Sequence, residues 1–164
     1  MAKVLGPNDG RLRSLGPFGI RFLIDASESG GGFSLVEHPM EPRCLAAPLH
    51  RHSREDEYSF VLEGRIGALL GGETVYGEVG DLIFKPRNQW HTFWNAGDEP
   101  ARILEIISPG GFEGCFAEIT DPAAGPPTPE SMAAVTARYG IDIDWESIGL
   151  LVQQYGLRFG PAPA

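Results

Sequence analysis

The chain has 164 residues, 42% of them hydrophobic, and 22 acidic against 13 basic side chains give it a formal net charge of -9. That length suits one domain around one core, and the charge argues against nucleic acid or an anionic membrane as partner, since both require a clustered positive field. Cys44 and Cys115 lie far apart without a CxxC spacing, which argues against a thiolate metal site or a disulfide scaffold. The first residues lack the apolar run of a secretory signal, and no later run is long enough to span a bilayer, so a cytoplasmic protein with a small-molecule partner is expected.

In chain order, 22 glycines and 14 prolines separate short aliphatic and aromatic segments, the texture of an all-β domain. Strands are expected at 19–25, 32–38, 43–52, 57–62, 65–70, 73–77, 81–85, 90–95 and 102–108. Gly71-Gly72 between two of them is a two-residue hairpin signal, because a type I′ turn needs positive φ at both central positions. About nine such strands favour a sandwich or barrel.

The tail changes period. After the Pro-rich connector DPAAGPPTPE, Thr128 is an expected N-cap, Pro129 a first helical residue and Gly140 a stop. Met132, Val135 and Tyr139 share one face of that helix. A second helix is expected over 145–155, with Asp144 as N-cap and Gly156 as stop, and with Trp145, Ile148, Leu151, Val152 and Tyr155 as its apolar stripe. Residues 1–120 are thus expected to form the β-domain with an N-terminal strand extension, and 121–164 the connector and helices that pack on it or on a dimer partner.

Within this frame one stretch, PLHRHSREDEYSFVLEG, carries chemistry. Residues two apart on a strand share a face, so His50 and His52 project together. Residues 53–56 make a turn, and Glu57 opens a strand that brings its carboxylate beside the two imidazoles. His91, heading WHTFWN, supplies a fourth donor. Such a set suits a divalent first-row ion with one or two positions left open. The same parity makes Pro48, Ser59 and Val61 wall residues of the same cavity, with Phe93 flanking His91, and sends Tyr58, Phe60, Trp90 and Trp94 to the outer face. Glu105, amid the aliphatics of RILEIIS, is either a pocket base near the metal or the partner of an arginine, because an unpaired buried carboxylate is costly.

These residues resemble the two sequence motifs of the cupins. His50, His52, Glu57 and Gly64 match G(X)5HXH(X)3,4E(X)6G, with Cys44 in place of the first glycine. Gly80, Pro86, His91 and Asn95 match G(X)5PXG(X)2H(X)3N, with Asn88 in place of the middle glycine. The chain is similar to small single-domain cupins of the quercetin-dioxygenase-like kind, over about residues 32–115. The resemblance implies a cupin β-barrel (jelly roll) followed by C-terminal α-helices, and one divalent ion (Fe, Mn, Ni, Cu or Zn) on His50, His52, Glu57 and His91. It implies a homodimer and, as activity, a dioxygenase acting on an aromatic or enolic substrate, with Glu57 as ligand or proton acceptor. A lyase or isomerase using the same Lewis acid, or a non-catalytic ligand-binding cupin, are the alternatives, because the fold serves many functions.

Overall fold

The computed structural model describes residues 2–125 and 128–160; Pro126 and Pro127 of the expected connector and residues 161–164 of the expected C-terminal segment lie outside them. In chain order the strands are β1 (Arg11–Leu15), β2 (Phe18–Ile24), β3 (Ser34–Met40), β4 (Leu49–His52), β5 (Asp56–Glu63), β6 (Ile66–Leu70), β7 (Glu73–Gly77), β8 (Leu82–Lys85), β9 (His91–Asn95), β10 (Ala101–Ser108) and β11 (Ile141–Asp144). The helices are α1 (Glu113–Ile119), α2 (Pro129–Arg138) and α3 (Ser147–Tyr155). The strands form two antiparallel sheets, one in the order β1-β2-β3-β10-β5-β8 and the other β11-β4-β9-β6-β7.

Alternation along each strand explains why the sheets pack face to face. On β10, Ala101, Ile103, Glu105 and Ile107 point inward and are buried, whereas Ile106 is exposed. On β5, Glu57, Ser59 and Val61 point the same way and Phe60 points out. The core joins Ile20, Val36, Val61, Ile83 and Ile103 of the first sheet to Ile66, Ala68 and Phe93 of the second. Burying such side chains stabilises the fold by about 1.5–3 kcal/mol each.

The expected hairpin is present: Leu70 pairs with Glu73 across Gly71 and Gly72, whose φ angles are 57° and 93°. Asn88, which stands where the second motif has glycine, also takes a positive φ of 64°, a geometry asparagine tolerates better than most residues.

Four local differences from the sequence expectation have physical reasons. β1, RLRSL, is an edge strand held by pairing with β2 from Leu15↔Phe18 to Arg11↔Phe22, so its polar outer side chains hide the strand pattern. The expected strand 43–52 is regular only from Leu49; before it, Cys44 and Leu45 make single bridges to Arg158 and Trp94. α1 grows from a glycine-rich segment and is tied down by Glu113, whose carboxylate accepts from the backbone N–H groups of Ala26 and Gly111, both at 2.7 Å. Finally, residues 141–144 pair with β4, so Asp144 closes a strand and the last helix starts at Ser147.

The helices take two positions. α3 covers the outside of the second sheet, where Tyr155 stacks on Trp94 at 4.3 Å between ring centroids. α1 and α2 instead roof a cavity that opens onto the inner faces of the strands, through Phe112, Cys115, Phe116, Met132 and Thr136.

Candidate metal centre

β4 carries His50 and His52 on one face, and its antiparallel neighbour β9 sets His91 directly opposite His50. Glu57 enters from β5 of the other sheet. The two sheets therefore each supply part of one constellation: one donor atom from each of His50, His52, Glu57 and His91 lies within 4.8 Å of all the others, and all four residues are buried. Glu57 Oε1 is 3.3 Å from His52 Nε2, and Glu57 Oε2 is 3.2 Å from His91 Nε2.

Two of the imidazoles are held from behind. His50 Nδ1 lies 2.8 Å from the carbonyl oxygen of Pro48, and His91 Nδ1 lies 2.9 Å from that of Gln89. A carbonyl only accepts, so each Nδ1 carries the proton and each Nε2 presents a lone pair to the centre. Backing of this kind orients and strengthens histidine ligands. His52 is without it: the Glu55 carboxylate stands 3.6 Å from Nδ1, beyond hydrogen-bond reach, and both ring nitrogens are buried without a hydrogen-bond partner among the described residues. An orphaned lone pair inside a ring of three imidazoles and a carboxylate is what a divalent transition ion would satisfy, so the donor set suits such an ion.

Burial, reinforced by the neighbouring His91 and His52, holds the His50 imidazole well below its ordinary pKa. Burial also lowers His91, although Glu57 opposes it. Both are therefore neutral near pH 7, the form that binds metal. For Glu57, burial works to raise the pKa, but Lys85 and the two imidazoles outweigh it and hold the carboxylate well below its usual range.

Lys85 is the residue the sequence reading did not single out. Its Nζ sits 3.0 Å from Glu57 Oε2 and 3.0 Å from Glu105 Oε1, and 4.3 Å from the centre of the Phe93 ring. Burial alone would depress its pKa, but Glu105 and Glu57 together raise it. Glu105 is thus partnered by this lysine and by the Ser59 hydroxyl at 2.9 Å, in place of the arginine considered from sequence. Burial pushes the Glu105 carboxyl up to about 7 against the pull of Lys85.

The cavity beside this constellation measures about 630 Å³, within the ordinary range for small-molecule pockets. His50, Glu57 and Glu105 reach it, as do Pro48 and Phe93, and the rest of its wall is largely apolar. Ser59 and Val61 share the inner face of β5 with Glu57 but lie deeper: Ser59 supports Glu105, and Val61 is in the core between the sheets. His38, unassigned from sequence, also lines the cavity. Of the aromatics expected outside, Phe60 is exposed and Tyr58 stacks on Phe84, whereas Trp94 is covered by α3.

Two antiparallel β-sheets packed face to face around a buried three-histidine, one-glutamate cluster that suits a metal ion define a small double-sheet β-domain. Residues 37–107 match the cupin domain family Cupin_2. The polyketide cyclase RemF from Streptomyces resistomycificus is 30% identical in sequence, with a TM-score of 0.56 over 66% of this chain and 80% of that one. The chain belongs to the cupin superfamily. The tetracenomycin polyketide synthase protein TcmJ of Streptomyces glaucescens is 32% identical over 89 residues, 54% of this chain and 60% of its own length. The polyketide synthase CurC of Streptomyces cyaneus is 37% identical over 60 residues, 37% and 39% of the two lengths. The matches to these two relatives therefore span less than two thirds of either relative. No helix among the described residues is long and apolar enough to cross a membrane.

Proposed function

We propose that the protein is a metal-dependent enzyme that promotes cyclisation of an enolisable, polyketide-type substrate. The observation that carries this reading is the union of a four-donor metal constellation with a second buried carboxyl, Glu105, on one largely apolar cavity. A divalent ion on His50, His52, Glu57 and His91 would act as a Lewis acid toward a substrate carbonyl or enol oxygen. Glu105 accepts the proton from a carbon flanked by two carbonyls, Lys85 and Ser59 hold it in place, and its pKa near 7 matches the task. The resulting enolate carbon bonds to a ketone carbon further along the same molecule, and the ketone oxygen takes up a proton. Loss of that oxygen as water, with one further C–H proton, forms the ring double bond. The walls around Phe93, Phe112 and Phe116 keep bulk water from the folded substrate. The names of TcmJ, CurC and RemF all refer to polyketides, which supports the substrate class.

The second reading is the dioxygenase implied by the sequence resemblance, favoured by the donor set of three imidazoles and one carboxylate. Protein purified without chelator and analysed for metal, then given aromatic and β-polyketone substrates, separates the two. Substrate loss without oxygen uptake is expected. Oxygen consumed in step with substrate would move the assignment to the dioxygenase, and binding without turnover would make the protein a ligand-binding cupin.

Glu105→Gln is expected to keep its metal content and lose about 10²–10⁴-fold in turnover, the usual contribution of a positioned proton-transfer group. Undiminished turnover would remove Glu105 from the mechanism.

The homodimer expectation belongs to the same proposal. Phe60, Leu82, Phe84 and Ile106 are exposed side by side on the outer face of the first sheet, with Phe60 opposite Leu82, and an apolar patch of this kind marks contact surfaces. A Phe60→Lys/Phe84→Lys variant is expected to sediment as a monomer where the parent sediments as a dimer; dimers of the variant would place the interface elsewhere.

A further inference from the structure

His38 is 1% exposed, faces inward from β3 and lines the cavity. Its ring stacks on Phe18 at 4.5 Å and meets the edge of Phe116 at 5.4 Å. Nδ1 lies 3.0 Å from the carbonyl oxygen of Gly19, and this is the ring's one hydrogen bond among the described residues. The carbonyl accepts, so Nδ1 holds the proton in the neutral ring and Nε2 keeps an unshared pair. Burial, outweighing the Gly19 contact, lowers its pKa to about 4, which keeps the ring neutral at physiological pH. An apolar ring would fill this aromatic box without leaving an acceptor unpaired.

The sheet register separates His38 from the metal constellation. Glu57 stands opposite Ile107 on β10, and His38 opposite Ile103. Four residues along a strand set the two backbone positions roughly 13 Å apart; between the side chains lies Phe93, its ring 6.2 Å from the His38 ring and 4.3 Å from Lys85 Nζ, which contacts Glu57.

We infer that His38 is a second anchor for the substrate, whose Nε2 accepts a hydrogen bond from a phenolic or enolic hydroxyl at one end of an elongated aromatic molecule while the other end lies at the metal constellation. The inference rests on the polyketide reading above and adds the polar pattern the substrate must carry: a keto-enol edge at one end, a hydroxyl donor at the other, and an apolar body between them. His38 would thereby select hydroxylated over unhydroxylated compounds of the same shape. A site that hydrogen-bonds a ligand hydroxyl discriminates against the analogue lacking it, because the buried acceptor is then left unpaired.

Emodin and chrysophanol test this, since both carry a keto-hydroxyl edge and emodin has one additional phenolic hydroxyl away from it. By calorimetric titration of the metal-loaded protein, emodin is expected to bind about 5- to 10-fold more tightly than chrysophanol. In His38→Phe that preference should fall to about unity, with chrysophanol affinity little changed. A ¹⁵N spectrum of the unaltered protein gives an independent reading that does not depend on the variant's folding: emodin should shift the His38 Nε2 resonance and chrysophanol should not. A preference that persists in His38→Phe, or an unmoved resonance, overturns the inference. Equal binding of both compounds overturns it while leaving the substrate class standing. If the unaltered protein binds neither compound, the polyketide reading falls and the anchor falls with it.

Discussion

The double replacement His50→Ala/His52→Ala is expected to abolish metal binding, taking the metal content of purified protein from near one equivalent per chain to below about a tenth. Two of four donors disappear, and the pair left, Glu57 and His91, sits only 3.2 Å apart in mutual contact. Turnover should fall by at least about 10³-fold, because both the Lewis acid and the anchor for the reacting oxygen are lost. The barrel itself should survive. The strand pairing of β4 with β11 runs through the backbone of residues 49–52, and removing the His52 imidazole takes away two buried ring nitrogens that have no hydrogen-bond partner among the described residues. Elemental analysis by mass spectrometry, with circular dichroism of the same sample, checks both halves. Full metal retention would refute the assigned centre.

Lys85→Met is expected to produce the largest loss of stability from a single change. The ammonium group is fully buried and lies between two buried carboxyls at 3.0 Å from each. Without it, Glu57 and Glu105 share a dry interior with no cation, and removing one member of a buried ion pair costs about 3–5 kcal/mol. For a chain of this size that corresponds to a fall in Tm of roughly 10 °C or more. Two companion measurements identify the cause. Adding Glu105→Gln to Lys85→Met should restore part of the loss, because one of the stranded charges is gone. A divalent ion should stabilise Lys85→Met more than the parent, because it supplies the positive charge Glu57 lacks. An unchanged melting temperature would mean that Glu57 and Glu105 are neutralised by other means.

The clustering of His50, His52, Glu57 and His91 was legible in the sequence because it is built from short-range rules. A two-residue period put His50 and His52 on one face, a short turn over 53–55 returned the chain into β5 with Glu57 near its start, and the Pro86–Asn88 turn delivered His91 to the neighbouring strand. Lys85 escaped because its importance lies in a register between strands. It ends the segment DLIFK, where a lysine reads as a solvated strand terminus, and only the pairing Glu57↔Lys85 between β5 and β8 turns it inward. Strand parity offered a usable signal, since Ile83 and Lys85 share a face and Ile83 is apolar. His38 escaped for a similar reason: nothing within β3 says that its neighbour across the sheet is Ile103 or that Phe18 and Phe116 will enclose it. In the tail, helical periodicity over 145–155 concealed the four residues before it, whose strand character comes only from pairing with β4.

The roof of the cavity has a consequence for how such a protein diversifies. The four candidate metal donors lie between residues 50 and 91, whereas Phe112, Phe116, Met132, Thr136 and Ile141 belong to a later stretch that helps to close the cavity beside them. Part of the cavity wall is thus carried by a length of chain that holds none of the four candidate donors, although its strand β11 pairs with β4 beneath His50 and His52. Changes confined to α1 and α2 would reshape the space a ligand fills and leave the donor set in place.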